Sequence, residues 1–297
     1  MKVEKHSKKA FNQTKSLWFS ILAAVALLLI WYAIEGPAFR DRYPDGIVSV
    51  HYIDVGQGES ALIRTPGGNV LIDSGDFDYI DKVTGYLRSH GVRTIDVLVA
   101  THPHSDHIGG MAAIIGDFNI GRVIMPRAES TGRAYERMLL AMREHGLRAT
   151  APVAGEKFIL GGAEFTILGP GFSNYQNLNN YSVVLHMTYG EYSFMFTGDA
   201  EGLLEREILR SGLDFQADFL QIGHHGSRTS TTEAFLAAVE PKVAFISVGK
   251  GNSYGHPHPS VLERLEDYGV RVYRTDRHGD IVVETDGRYY RILTEKG

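Results

Sequence analysis

The stretch His102-Pro103-His104-Ser105-Asp106-His107 places three imidazoles and one carboxylate within six positions. Neutral imidazole and carboxylate together are ligands that suit zinc, manganese or iron. On an extended backbone His102 and His104 point the same way, whereas Asp106 and His107, one step further on, turn towards a second ion. The spacing therefore predicts a centre with two divalent metal ions, and Zn or Mn are the ions we expect.

Two further histidine-rich segments belong to the same prediction. Seven of the thirteen histidines lie in three short segments: 102–107, 224–225 and 256–258. One of His224 and His225 can complete the coordination of a metal while the other binds or protonates an oxyanion, and the residue types leave open which does which. His256 and His258 lie on either side of Pro257, which fixes an extended backbone. We favour substrate contact or proton transfer for both.

Two aspartates end predicted strands in the same manner. Asp199 follows the apolar strand 193–196, and a carboxylate at that point can bridge two ions with one oxygen on each. Asp73 is expected instead to hydrogen-bond the loop that holds the ligands and so to orient them. Asn179 and Asn180 stand where another strand begins, and both substrate contact and a turn or capping role are open for them.

The elements that position these residues are short strands, each running into a polar or glycine-rich loop. Apolar strands lead into the three histidine segments: Ile95–Ala100, Phe219–Ile222 and Val243–Val248. Such loops let a rigid scaffold aim several side chains at one point. The segment Gly56-Gln57-Gly58 is too short for a phosphate-binding loop, and we expect its glycines to let the backbone pass close to the site. Alternating short strands and helices from residue 47 onwards predict one α/β domain.

Composition limits the choice of ligands and partners. The chain of 297 residues has no cysteine, so any metal must bind to His, Asp or Glu. Its net charge is −5, and residues 1–45, with seven Lys/Arg against four Asp/Glu, leave −8 for the remainder. A domain with that charge is not a general nucleic-acid-coating protein. If it binds nucleic acid, metals and local Arg or Lys must provide the attraction.

The N-terminal residues predict attachment to the cell membrane by a single pass. Residues 1–16 form a basic tail with five lysines, and residues 17–34 contain no charge. A bilayer core of ~30 Å needs ~20 apolar residues, so this segment is a minimal transmembrane anchor. The lysines predict a cytoplasmic tail and an extracytoplasmic α/β domain; a cleaved signal sequence and a secreted protein are the alternative. Residues 35–46 are a linker, and residues 47–297 form the domain.

The motifs after residue 47 resemble those of the metallo-β-lactamase superfamily, and within it they are similar to the hydrolase domain of ComEC-type competence (DNA-uptake) proteins. The resemblance covers nearly all of residues 47–297. It rests on seven segments in the family's order: Asp54–Gly58, Leu71–Asp73, Thr101–Gly110, Asn179–Leu185, Thr197–Asp199, His224–Ser227 and Tyr254–Pro259. It implies a four-layer αβ/βα sandwich with a two-metal site along one edge.

The resemblance also implies a role for each site residue. His102 and His104 would bind one metal, and Asp199 would bridge it to the second. The second metal would have as its other ligands Asp106, His107 and one of the pair His224/His225. We favour His225 as that ligand, with His224 facing the phosphate. The implied catalytic residues are Asp106, His224 and His258. The implied substrate contacts are Asn179, Asn180, Ser227, Tyr254 and His256.

The function that this resemblance implies is hydrolysis of a phosphodiester by a metal-activated water, as in a nuclease acting on DNA. A phosphodiesterase of cell-wall phosphorylcholine, or of another small phosphodiester, is the alternative. The net charge of −8 favours that alternative, because no basic track is evident in the sequence. A third hypothesis, a non-catalytic accessory protein of DNA uptake, conflicts with the intact set of ligand residues.

The chain departs from the family pattern at three points. The ligand histidine that many members carry before the Gly-Asp strand is missing, and Asn179 or Asn180 stands near its place. Glu59 follows Gly-Gln-Gly where the family usually has Asp. DNA-uptake proteins also carry a polytopic channel, whereas one predicted helix cannot form one, so we expect that this chain alone is not a complete transporter.

Overall fold

The computed structural model of the chain describes residues 44–172 and 174–297. The predicted basic tail, the predicted anchor 17–34 and linker residues 35–43 lie outside the described residues. Within the part that is described, no helix is both long enough and apolar enough to cross a membrane.

Two β-sheets form the centre of the domain. The strands of the first sheet are β1 Val48–Tyr52, β2 Ala61–Thr65, β3 Gly68–Ile72, β4 Thr94–Val99, β5 Asn119–Ile124, β6 Ala149–Thr150, β14 Ile281–Thr285 and β15 Tyr290–Thr294. Their order is β15-β14-β1-β2-β3-β4-β5-β6. The strands of the second sheet are β7 Lys157–Leu160, β8 Ala163–Gly169, β9 Val184–Tyr189, β10 Tyr192–Phe196, β11 Phe219–Gln221, β12 Val243–Ile246 and β13 Arg271–Arg274. Their order is β13-β12-β11-β10-β9-β8-β7.

Helices connect the strands and pack on the outer faces of the sheets. The α-helices of the described residues are Ile80–Ser89, Ser105–Ile108, Met111–Asp117, Arg133–Glu144, Gly202–Arg210, Glu233–Val239, Pro259–Asp267 and Thr275–His278. Short 3-10 helices lie at Phe77–Tyr79, Leu178–Tyr181 and Gly223–Gly226.

Alternate residues of the central strands face different cores. In β3, Val70 and Ile72 belong to the core between the sheets, while Leu71 packs against the helices outside the first sheet. In β10, Phe194 belongs to the core between the sheets, while Met195 packs against the helices outside the second sheet. Strands that are buried on both faces must be apolar at nearly every position. Each such side chain stabilises the fold by ~1.5–3 kcal/mol, and together they hold the strand ends in place.

Parallel strands bring the functional loops to one edge of the sandwich. In the first sheet β3, β4 and β5 are parallel neighbours, and in the second β10, β11, β12 and β13 are. The carboxyl ends of parallel strands meet at the same edge of a sheet. A backbone hydrogen bond from Val183 N to Thr101 O (3.0 Å) links the two sheets at this edge. The predicted α/β sandwich with two sheets is therefore confirmed.

Candidate metal centre

Asp73 fastens the first histidine loop to the end of β3. Its Oδ1 accepts a hydrogen bond from Thr101 N (2.8 Å), and its Oδ2 accepts one from Thr101 Oγ1 (2.6 Å). The same Oδ2 lies 2.6 Å from His107 Nδ1, so that ring nitrogen donates to the carboxylate and Nε2 is left to face the centre. These are the contacts expected of a residue that orients ligands rather than binds the metal.

One group of donor atoms surrounds Asp199 Oδ1, and we call it the Oδ1 group: Asp106, His107 and His225. His107 Nε2 lies 3.2 Å from Asp199 Oδ1, and His225 Nε2 lies 3.7 Å from it. Asp106 Oδ2 is 3.3 Å from His225 Nε2. His225 Nδ1 donates to Ser247 O at 2.9 Å, which directs Nε2 into the group.

A second group, the Oδ2 group, lies at the other oxygen of Asp199 and consists of His102 and His104. His102 Nε2 is 3.5 Å from Asp199 Oδ2 and 2.9 Å from His104 Nδ1. The opposite nitrogen of His102 lies 3.1 Å from Thr101 Oγ1. The two oxygens of one buried carboxylate therefore face two different sets of imidazole nitrogens, which is the arrangement predicted for a bridging Asp199.

Buried polar atoms at this centre fit divalent cations. Asp199 Oδ1, His107 Nε2 and His225 Nε2 are buried and have no hydrogen-bond partner among the described residues. Buried polar groups in native proteins nearly always have a partner. Imidazole and carboxylate donors that lie within 4.8 Å of one another, as Asp106, His107 and His225 do, can converge on one ion. Metals satisfy these atoms, and the residues present therefore fit the cofactor that the sequence predicts.

The electrostatics of the centre favour the metal-binding forms of Asp199 and His102. At His107 and His225 the carboxylates of Asp199 and Asp106 outweigh burial and raise the pKa of both rings. Burial disfavours the carboxylate of Asp199, but the imidazoles of His107, His225 and His102 hold its pKa well below the usual range. Burial, together with the nearby His107, lowers the pKa of His102 well below its ordinary value, so that ring is neutral. An anionic carboxylate and a neutral imidazole are the forms that bind metal.

His224 lies at the edge of the centre and differs from its neighbour His225. Both residues have left-handed backbone conformations, with φ of 51° and 56°, so their side chains leave the turn in different directions. His225 is buried in the Oδ1 group, while the side chain of His224 remains about a quarter exposed, with Nε2 3.7 Å from Asp199 Oδ2. This geometry favours the predicted assignment, with His225 as ligand and His224 towards the substrate.

Glu201 is a residue of this site that sequence analysis missed. Its Oε1 lies 3.3 Å from His224 Nδ1 and accepts a hydrogen bond from Asn179 Nδ2 at 3.1 Å. Asn179 Nδ2 is itself 3.3 Å from His224 Nδ1, so Glu201, Asn179 and His224 form one polar cluster. The available signal was a carboxylate two residues after Asp199, at the same strand end.

The remaining predicted contacts divide into two kinds. Tyr254 and His256 line the cavity of the centre, as predicted for substrate contacts. Asn180 instead caps the helix Gly202–Arg210, because its Oδ1 accepts from Glu201 N and Leu204 N. His258 caps the helix Pro259–Asp267, because its Nδ1 accepts from Ser260 N at 3.2 Å. Ser227 is buried, with its Oγ 3.0 Å from Thr229 Oγ1.

Capping uses the polar atoms that Asn180 and His258 would need for the predicted roles. A cap contact satisfies a backbone N–H that the helix itself leaves unpaired. The predicted substrate contact of Asn180 and proton transfer by His258 therefore stay predictions that none of their described hydrogen bonds supports.

The Gly56-Gln57-Gly58 turn brings the backbone against the Oδ1 group. A Cβ on Gly58 would lie 2.5 Å from Asp106 O, so only glycine fits this approach. The next residue, Glu59, is fully buried behind His107, and neither of its carboxylate oxygens has a hydrogen-bond partner among the described residues. Burial raises the pKa of Glu59 to about 8. Glu59 stands where the family usually has Asp, and its longer side chain thus occupies the region beneath the ligands.

The centre opens into a cavity of about 310 Å³. Its lining comprises Gln57, His104, Ser105, Asp106, Asp199, His224, His225, Tyr254 and His256. Both donor groups and His224 therefore face the same solvent-accessible space, which can hold the reacting part of a substrate.

Two packed sheets, helices outside them and a histidine–aspartate centre at one edge define a class of metal-dependent hydrolases. Residues 53–250 match the sequence model of the Metallo-beta-lactamase superfamily, and the chain belongs to this superfamily.

Among curated proteins, the chain is similar to ComE operon protein 3 of Bacillus subtilis, with 35% identity over 250 residues, 78% of this chain and 32% of that protein. It is also similar to competence protein ComA of Neisseria gonorrhoeae, with 32% identity over 241 residues, 80% of this chain and 32% of that protein. The predicted resemblance to ComEC-type competence proteins is therefore confirmed. The chain spans about a third of the length of these relatives.

Among solved structures, the metallo-beta-lactamase fold protein YhfI of Bacillus subtilis has a similar fold. The TM-score is 0.55 at 12% identity, and the match covers 80% of this chain and 100% of that one. At this identity the likeness concerns the fold alone.

Proposed function

We propose that this metallo-β-lactamase-fold hydrolase is a phosphodiesterase that cleaves nucleic acid. The observation that carries the proposal is the shared carboxylate of Asp199, whose two oxygens face separate donor groups at the floor of one open cavity. In two-metal sites this arrangement suits the in-line displacement of a phosphodiester.

The proposed ligands follow from the donor groups. His102, His104 and Asp199 Oδ2 would hold one divalent ion, Zn or Mn. The ligands of the other would be Asp106, His107, His225 and Asp199 Oδ1. Bound ions supply Lewis-acid stabilisation of phosphoryl oxygens and lower the pKa of a water molecule.

The chain's own proton donor in this proposal is His224. Glu201 Oε1, 3.3 Å from Nδ1, accepts the N–H of the ring on that side, which directs Nε2 into the cavity. From there Nε2 can deliver a proton to the leaving oxygen. Asn179 Nδ2 donates to the same Oε1 and so orients the carboxylate.

Local positive charge supports an anionic substrate despite the net charge of −8. Arg127, Arg228 and Lys250 are exposed and follow β5, β11 and β12, so they lie along the edge that carries the centre. None of the three forms an ion pair within residues 44–172 and 174–297. Unpaired cations around a site attract polyanions and raise their local concentration. This arrangement favours nucleic acid over a small zwitterionic phosphodiester such as an ester of phosphorylcholine.

The proposal includes attachment to the membrane through residues 17–34, with the hydrolase domain outside the cytoplasm. The uncharged length of that segment and the five lysines before it support this topology. The relative named as a competence protein supports a role in competence.

The test is an assay of the purified chain on single-stranded DNA, duplex DNA, a phosphorylcholine ester and a small chromogenic phosphodiester. We expect metal-dependent cleavage of DNA, its loss on chelation and its recovery on addition of Mn²⁺ or Zn²⁺. Asp199→Asn should remove it, while Asp267→Asn, an exposed aspartate on another helix, should not. Cleavage of the phosphorylcholine ester alone would favour the small-substrate alternative, and no cleavage in the metal-loaded chain would reject the proposal.

A further inference from the structure

A second cavity of about 370 Å³ lies on the same edge of the sandwich as the metal centre. We call it the Arg127 groove; its lining includes Pro126, Arg127, Pro152, Val153, Phe172 and Tyr181. None of these residues belongs to the donor groups or lines the cavity of the centre.

The strand order places the Arg127 groove directly beside the metal centre. Its residues follow β5, β6 and β8 or precede β9, whereas the nearest ligands follow β4 and β10, and His225 follows β11. In the first sheet β5 is next to β4 and β6 is next to β5. In the second sheet β9 is next to β10 and β8 is next to β9. With strands ~4.8 Å apart, the groove is centred ~5–10 Å from the ligands. That offset is comparable with the length of one nucleotide in an extended strand.

A single structural element joins the two sites. The 3-10 helix Leu178–Tyr181 contributes Asn179 to the site, where it contacts His224, and Tyr181 to the wall of the groove. On the opposite side of the centre, after β12, Tyr254 is 70% exposed and borders the same cavity as the ligands. A strand laid along this edge would therefore cross the metal centre between Tyr254 and the Arg127 groove.

The chemistry of the groove fits one nucleotide. Arg127 is exposed and has no ion pair among the described residues, so its guanidinium is available for a phosphate. Phe172 is 67% exposed and Val153 is 59% exposed, and two prolines make the adjoining walls rigid. A cation that tracks the backbone, next to an aromatic ring on which a base stacks, is the usual composition of single-strand binding sites.

We propose that the Arg127 groove binds the nucleotide adjacent to the scissile phosphodiester of a single-stranded nucleic acid. Arg127 binds its phosphate, and Phe172 stacks on its unpaired base. This inference rests on the proposed function, because it takes the substrate to be a nucleic-acid strand that lies along the edge with the metal centre. Duplex DNA keeps its bases stacked inside and cannot use Phe172 in this way, so the groove selects single strands.

The first test measures binding without turnover. The probe is a fluorescein-labelled 12-nucleotide oligo(dT), titrated into the full chain carrying Asp199→Asn, with fluorescence anisotropy as the readout. We expect Arg127→Ala and Phe172→Ala each to weaken binding by about 10-fold, the lower part of the range for a lost base stack. Arg127→Ala should also reduce the salt dependence by about 0.7 in the log–log slope, the value for one phosphate contact to a single strand.

The matched control is Arg210→Ala, which removes the same charge from an exposed position on the helix Gly202–Arg210 that does not line the groove. We expect it to change affinity less than 2-fold. Thermal unfolding of each variant separates loss of binding from loss of folding. The proposal would be overturned if Arg127→Ala bound the oligonucleotide as tightly as the parent, or if Arg210→Ala lost as much affinity as Arg127→Ala. The groove would then be assigned to a protein partner.

The second test distinguishes failure of the groove from failure of the proposed function. In the otherwise unaltered chain, Arg127→Ala should lower kcat/KM on the oligonucleotide by about 10-fold, a larger loss than on a small chromogenic phosphodiester, which is too short to reach the groove. An unaltered kcat/KM on the oligonucleotide would contradict the nucleotide-binding role of the groove and leave the proposed function standing. If the parent chain cleaves no phosphodiester, the proposed function fails, and the anisotropy titration still decides whether the groove binds single strands.

Discussion

The two donor groups that share Asp199 differ in how firmly the protein holds their side chains. In the Oδ1 group, His107 and His225 are buried, and each ring donates to a fixed acceptor, Asp73 at 2.6 Å and Ser247 O at 2.9 Å. In the Oδ2 group, His104 is only partly buried, and its described hydrogen bond goes to His102. The Oδ1 group is thus preorganised, whereas the Oδ2 group must exchange a His–His contact for a metal.

This difference has a thermodynamic consequence. Ligands whose orientation is fixed in advance lose less conformational freedom when the ion binds, and their supporting hydrogen bonds increase affinity. We therefore expect the ion of the Oδ1 group to bind more tightly and that of the Oδ2 group to exchange more readily. Each variant below changes one side of this comparison.

The largest effect is expected for Asp199→Asn, which keeps the size of the side chain but removes the charge that both groups share. Turnover should fall by at least ~10³-fold, the scale seen when one member of a catalytic unit is removed. Elemental analysis after dialysis should show that metal content falls as well. Full metal content with full activity would contradict a bridging role.

His104→Ala should remove one ion and leave the other. The ring is partly exposed and makes few contacts, so we expect the fold to survive while turnover falls by about 10²–10³-fold, as when one preorganised electrostatic group is lost. Elemental analysis should report one ion per chain instead of two. His107→Ala is the matched variant in the Oδ1 group, and loss of the same ion in both variants would show that the groups are not separate.

Asp73→Asn tests the support of the Oδ1 group without touching a proposed ligand. Because the amide cannot accept from both Thr101 and His107 as the carboxylate does, metal affinity should fall about 10–100-fold. The matched variant is Ser182→Ala, whose hydroxyl lies 3.4 Å from His102 Nδ1 in the Oδ2 group. A competition titration with a chelator should show the smaller loss for Ser182→Ala; the reverse order would contradict the comparison.

The smallest change is expected for Glu201→Gln, which alters the support of His224 and leaves both donor groups intact. Metal content should be unchanged, while kcat falls about 10-fold, a part of the 10²–10⁴ that a general acid contributes. A leaving group that needs no proton should restore most of the rate. Glu263→Gln, on an exposed helix position, is the control, and an equal loss on both leaving groups would exclude a role in proton transfer.

The sequence predicted the parts of this site that are encoded locally. His102, His104, Asp106 and His107 lie within one loop, so their chemistry and spacing are visible without a fold. Alternating apolar strands and polar loops predicted one α/β domain, and the sandwich of two sheets was implied by the resemblance to a known family. The resemblance to a known family then ordered the distant segments around them.

Other features depend on contacts between distant segments and could not be predicted in the same way. The cap contact of His258 depends on the start of a helix beside it, and for Asn180 the sequence left a capping role and substrate contact equally open. Glu201 gained its partner only when the turn after β11 brought His224 against it. The Arg127 groove required the order of β5, β6, β8 and β9, which the sequence does not reveal.

Anomalous diffraction from crystals of the Mn²⁺- or Zn²⁺-loaded chain would locate the ions and so test whether Asp199 joins two of them. We expect two peaks ~3.5–4 Å apart, one against His102 and His104 and the other against His107 and His225, with the Asp199 carboxylate between them. A single peak at saturating metal, or peaks away from Asp199, would contradict the proposed centre.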